Sequence, residues 1–235
     1  MKQSIRLGRV GGIPVGVHWS VIVIVGLIAA ILGGQVLPQM APGQSTTAYW
    51  AVAIPGALLF VLALLAHELA HAFVARRAGV PVRSITLWAL GGVSELGGEP
   101  PTARADLRIA AAGPATSLLA GGVFWGLAVL LDLAAGPAIG VAALGWLAIM
   151  NVLLAAFNLL PGAPLDGGRI LRAALWMHHG DRSRAARTAA GAGRIVGGIL
   201  VGLGLAELWI WSSLGGLWLM LIGFFLITAA SAEAA

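Results

Sequence analysis

The chain has 235 residues, of which 59% are hydrophobic and only 10% charged, with a formal net charge of +5 and a mean hydropathy of +0.94. So little charge excludes an ordinary water-soluble domain and points to a chain that lives in a bilayer. The basic residues form no stripe with interleaved aromatics, so no nucleic-acid partner is expected. With no cysteine present, disulfides, thiolate metal ligands and a cysteine nucleophile are ruled out.

In chain order, apolar runs predict six transmembrane helices at residues 19–37, 50–74, 109–131, 137–160, 195–211 and 217–230, each near the roughly 20 residues a bilayer requires. The fold class expected is an all-α polytopic membrane protein in one integral-membrane domain. The first run follows a basic start but is too long for the apolar core of a signal peptide, so it reads as a retained span. Lys2, Arg6 and Arg9 precede it. Arg76, Arg77, Arg83, Arg104 and Arg108 lie between spans two and three. Arg169, Arg172, Arg182, Arg184, Arg187 and Arg194 lie between spans four and five. These are all 14 basic residues, and the opposite loops carry none. The bias places both termini in the cytoplasm and the chain in the cytoplasmic membrane.

Within the second run stands His67-Glu68-Leu69-Ala70-His71. On a helix, residues four apart share a face, so both imidazoles can reach one metal ion while Glu68 stays beside it as a general base. If Arg76 and Arg77 mark the cytoplasmic interface, His71 and His67 lie roughly 8 and 14 Å into the bilayer. The site therefore falls in the cytoplasmic half. Ionisable groups at that depth are costly, which weighs against a chance match to so short a pattern.

After the second span, Leu87 to Glu99 is rich in glycine. It reads either as a membrane-associated hairpin presenting a strand edge to an extended substrate or as a flexible interfacial loop. A catalytic zinc needs a third protein ligand as well as an open position. Asp132 falls on the outer side and Glu233 at the carboxyl end, which leaves Asp166 as the strongest candidate. It follows span four in Asn158-Leu159-Leu160-Pro161-Gly162-Ala163-Pro164-Leu165-Asp166-Gly167-Gly168-Arg169, where prolines and glycines break the helix and allow a carboxylate to turn back toward the bundle. The plain alternative is a turn residue, in which case His178 and His179 are the next candidates, although their arginine-rich surroundings suit solvated side chains. His18 beside Trp19 reads as an interfacial anchor. Asn151 reads as a helix-to-helix polar contact. Glu207, deep in span five, fits a water path, a gate or a protonated hydrogen-bonded carboxyl.

The pairing of His67-Glu68-Leu69-Ala70-His71 with Asn158, Pro161 and Pro164-Leu165-Asp166-Gly167-Gly168 resembles the site-2 protease family of intramembrane zinc metalloproteases. Leu90-Gly91-Gly92-Val93 and Ala112-Gly113-Pro114 agree with it. The six-span arrangement is similar to the bacterial and archaeal branch. Some of its members carry a nucleotide-sensing CBS domain after the last span, and this chain carries none up to Ala235.

The resemblance implies that His67, His71 and Asp166 hold Zn²⁺. Glu68 would then take a proton from water whose pKa the metal lowers toward about 7. Asn158 matches the family's span-four asparagine and would donate a side-chain N–H to the developing oxyanion, a contribution typically worth about 3 kcal/mol. A helix-to-helix hydrogen bond is the alternative for Asn158. The partners implied are the lipid bilayer and transmembrane substrates of the anti-sigma factor, pro-sigma factor or remnant signal peptide class. The competing reading is a divalent-cation transporter for zinc. It is disfavoured because neither motif recurs in a second half of the chain.

Overall fold

The computed structural model describes residues 5–89, 91–211 and 215–233. Lys2 and Leu90, both singled out above, lie outside them. Among the described residues, six helical stretches are long and apolar enough to cross a membrane: Ser20–Met40, Thr46–Arg77, Ala103–Leu133, Ala138–Asn158, Arg182–Ile210 and Gly215–Ala232. They fit a multi-pass membrane protein. The chain divides into two compact units, the first made of Met1–Glu99 with Ala115–Ala155 and the second of Pro100–Pro114 with Ala156–Ala235.

The first unit opens on two short strands, β1 (Ile5–Val10) and β2 (Ile13–Val17). They pair antiparallel around Gly11 and Gly12, whose positive φ values of 56° and 82° suit glycine. Arg76 donates to the Gly11 carbonyl, which ties this hairpin to a helix far along the chain. The first apolar run then forms α1 (Ser20–Ile31), a π-helical turn at Leu32–Val36 and the short α2 (Leu37–Met40).

Next comes α3 (Thr46–Arg77). Ser45 caps it, its hydroxyl accepting from the Ala48 N–H at 3.2 Å, and Arg76 and Arg77 in its last turn complement the negative end of the helix dipole. Strands β3 (Val82–Trp88) and β4 (Gly91–Leu96) follow. They pair antiparallel, while β3 also runs parallel to β2, giving one sheet in the order β1-β2-β3-β4. The strand pairing therefore begins at Val82, ahead of the glycine-rich stretch that suggested a hairpin, and recruits the amino-terminal residues as well. Ile13, Ala72 and Ile85 pack together with Leu65, Leu69 and Val82 around them, seating the sheet on the metal-motif helix. A second cluster joins Leu32, Leu37, Tyr49 and Ala53 to Ile139, Ala142 and Ala143.

The fourth helix, α4 (Ala103–Leu133), starts earlier than its apolar run because Thr102 accepts from the Ala105 N–H and so caps a polar first turn. It is followed by α5 (Ala138–Asn158). In the second unit, α6 (Asp166–His179) leads into α7 (Arg182–Trp211) and α8 (Gly215–Glu233). The alanine- and arginine-rich residues before Ile195 are strong helix formers, which explains why α7 begins at Arg182. Helices α7 and α8 meet through glycines: a β-carbon on Gly204 would lie 2.4 Å from the Gly216 carbonyl oxygen, and one on Gly223 would lie 2.5 Å from that of Gly197. Such close backbone approach is the usual way helices associate in lipid, where no hydrophobic force drives them together.

Candidate metal centre

His67 and His71 are one turn apart on α3, and both are buried. Their rings meet edge to face with centroids 4.9 Å apart, and the two Nε2 atoms lie 3.2 Å from each other. On its other side, His67 Nδ1 is 2.8 Å from the hydroxyl of Ser117 on α4. Ser117 is fully buried.

Glu68 lies between the two histidines in sequence but faces the sheet. Its Oε2 accepts from the Ser94 hydroxyl at 3.1 Å. Gly92, two residues earlier on β4, passes so close that a β-carbon there would sit 2.2 Å from Cγ of Glu68.

Asp166 is the first residue of α6 and is also buried. Its position follows from how the loop before it folds. A β-carbon on Gly167 would lie 2.3 Å from the Leu160 carbonyl oxygen, and one on Gly168 would lie 2.3 Å from the Ala163 nitrogen. The two glycines thus let residues 160–163 lie against the first turn of α6. Gly193 on α7 does the same from its side, since a β-carbon there would lie 2.0 Å from the Ala163 carbonyl oxygen. Helix α6 is further held by Asp106 in the first turn of α4. This wholly buried carboxylate takes a hydrogen bond from Arg172 Nε at 2.9 Å and from Arg172 Nη2 at 3.0 Å, with Arg169 at 3.5 Å.

One ligand atom from each of His67, His71 and Asp166 lies within 4.8 Å of the other two, and all three residues are buried. Two imidazoles and a carboxylate are a donor set that suits zinc. The residues present therefore fit a zinc ion.

Asn158 closes α5 and is half-buried. His178 and His179 are exposed at the end of α6. His18 Nδ1 pairs with the Ser20 hydroxyl at 2.8 Å, and Glu207 is half-buried within α7. Asn151 is buried, its amide N–H donating to the Leu147 carbonyl at 2.8 Å. Ser117, Ser94 and Gly92 were not singled out by their own chemistry in the sequence. Gly92 carried a signal only as part of a glycine-rich segment.

Comparison with known proteins agrees with this geometry. The chain is 52% identical over 233 residues to the Mycobacterium tuberculosis protein named "Putative zinc metalloprotease Rip3", a match covering 99% of this chain and 59% of that one. It is 34% identical over 208 residues to "Zinc metalloprotease MJ0392" of Methanocaldococcus jannaschii, covering 88% of this chain and 56% of the relative. The chain thus spans less than two thirds of the length of these curated relatives. The solved structure of the site-2 protease from Methanocaldococcus jannaschii superposes with a TM-score of 0.66 at 29% identity, covering 98% of this chain and 95% of that one. The sequence model described as peptidase family M50 matches residues 55–140 and 133–203, a range that takes in the part of α3 carrying the two histidines and the loop leading to Asp166. The chain belongs to peptidase family M50, the site-2 protease family.

Proposed function

We propose that this chain is a zinc-dependent intramembrane endopeptidase that hydrolyses a peptide bond within or near a transmembrane segment of a membrane-tethered regulatory protein. The observation that carries the reading is the meeting of donor atoms from His67, His71 and Asp166 within 4.8 Å of one another, with Glu68 next in sequence to the first. Family membership and the zinc metalloprotease names of the relatives support it.

In this reading His67, His71 and Asp166 hold zinc. Bound there, the metal supplies Lewis-acid polarisation of the scissile carbonyl and makes water acidic enough to attack near neutral pH. Glu68 takes the proton of the attacking water and passes it to the departing amine. The Ser94 hydroxyl, bonded to Oε2 at 3.1 Å, keeps the carboxylate aimed. Asn158 donates its side-chain N–H to the oxyanion that forms on the carbonyl. The apolar helices around the site limit bulk water and strengthen each of these electrostatic contacts. The distribution of basic residues supports a location in the cytoplasmic membrane with the metal centre in the cytoplasmic half. The resemblance to site-2 proteases supports anti-sigma factors, pro-sigma factors or remnant signal peptides as the substrate class.

The test is cleavage of a panel of single-span substrates by the purified zinc-loaded protein in liposomes, beside Glu68→Gln, with bound zinc measured for both. Wild type is expected to cut. Glu68→Gln should keep its zinc and cut about 10²- to 10⁴-fold more slowly, the usual contribution of a general base. If neither protein cuts while wild-type liposomes pass zinc across the membrane, the chain is a cation transporter and the protease reading is lost.

A further inference from the structure

We infer that Ser117 is a positioning residue of the metal centre, its hydroxyl fixing the ring tautomer of His67 and so aiming the Nε2 lone pair at the metal. The inference rests on the reading of His67 as a zinc ligand. A neutral imidazole has one N–H and one lone pair, and only the nitrogen with the lone pair can bind a cation. The atom of His67 that faces the neighbouring imidazole is Nε2, which lies 3.2 Å from Nε2 of His71. The ring proton therefore belongs on Nδ1. There it donates to the Ser117 hydroxyl oxygen 2.8 Å away.

Two features distinguish this contact from an incidental one. His67 is 2% exposed and Ser117 is 0% exposed, so no bulk water can stand in as the acceptor. The residues are also fifty positions apart on α3 and α4, so helix packing holds the oxygen at the one ring atom where an acceptor selects the metal-binding tautomer. Around it on α4, Leu118 and Leu119 are exposed, and the serine is the residue of this turn that faces inward. Without the hydroxyl, Nδ1–H would lose this acceptor, and the balance would shift toward a proton on Nε2 or a rotated ring. Either change weakens its grip on a metal. Partners that orient a ligating histidine in this way typically account for about 10- to 100-fold in metal affinity.

The experiment measures the zinc dissociation constant of full-chain wild type, Ser117→Ala and Ser117→Thr in detergent by competition with a chromophoric chelator. Ser117→Ala should bind zinc about 10- to 100-fold more weakly, and Ser117→Thr, which keeps the oxygen, should recover most of that loss. Zinc binding by Ser117→Ala as tight as wild type would overturn the inference. Because a buried substitution can impair folding, the zinc-loaded wild type provides an independent readout. With ¹⁵N in its imidazoles, the long-range nitrogen–proton spectrum should place the His67 proton on Nδ1, and a proton on Nε2 would overturn the inference. A wild-type protein that holds no stoichiometric zinc would instead remove the metal centre itself, so the two failures are separable.

Discussion

A β-carbon built on Gly92 would come 2.2 Å from Cγ and 2.5 Å from Cδ of Glu68, closer than any real contact allows. The carboxylate and the β4 backbone therefore share one narrow space, and the absent side chain at position 92 lets Glu68 stand where Ser94 can bond it. An alanine at Gly92 must push the carboxylate aside or bend the strand. Displacement of a catalytic group by about 1 Å can cost about 100-fold in rate. Gly92→Ala should therefore lower substrate cleavage by about that factor while bound zinc stays at the wild-type level, since none of the three proposed ligands moves. A Gly92→Ala protein that cleaves like wild type would show that this packing does not position Glu68. The histidine pair was readable because four-residue spacing on a helix is a local property. Ser117, Ser94 and Gly92 were not, because each acts across a contact between residues 24 to 50 positions apart, which local pattern does not reveal.

Between elements, the carboxylate of Asp106 links the start of α4 to α6, whose first residue is Asp166. It is wholly buried, and its bonds to Arg172 run in parallel at 2.9 and 3.0 Å. Removing one member of a buried ion pair typically costs about 3–5 kcal/mol, because the other charge is left without its partner. Here Arg169 and Arg172 keep side-chain exposures of 21% and 17%, so some hydration remains and the low end applies. Asp106→Ala should lose about 3 kcal/mol of stability, read as a lower midpoint in an SDS unfolding titration. A midpoint equal to wild type would show that the cluster does not brace α6. The spans themselves were readable at this scale because six long apolar runs leave little else to form. The sheet was legible only in part. All six residues of β1 are exposed, so no alternation betrays it, and β2 finds a parallel partner in β3 seventy positions along the chain, as in Val15 with Ile85.

For the whole molecule, the decisive quantity is the distribution of charge, since six crossings would return the chain to the side on which it began. Arginine is costly to carry across a bilayer, and the loops that hold the basic residues are those expected to stay on the cytoplasmic side. The exposed residues Gln44 and Ala134 lie in the two short connections, before α3 and after α4, that contain no lysine or arginine. Pro101 and Ser183 are exposed in the basic segments before α4 and at the start of α7. Because the chain has no cysteine, one introduced thiol reports one position without background. Gln44→Cys and Ala134→Cys should react with a membrane-impermeant maleimide in intact cells, whereas Pro101→Cys and Ser183→Cys should react only after permeabilisation. The orientation would also set the depth of the chemistry: with Arg76, in the last turn of α3, at the cytoplasmic interface, His71 and His67 would lie roughly 8 and 14 Å inward from it by helical rise. The reverse labelling pattern would invert the chain and move the proposed metal centre to the outer half of the bilayer, and with it the end of a transmembrane substrate that the proposed protease could reach.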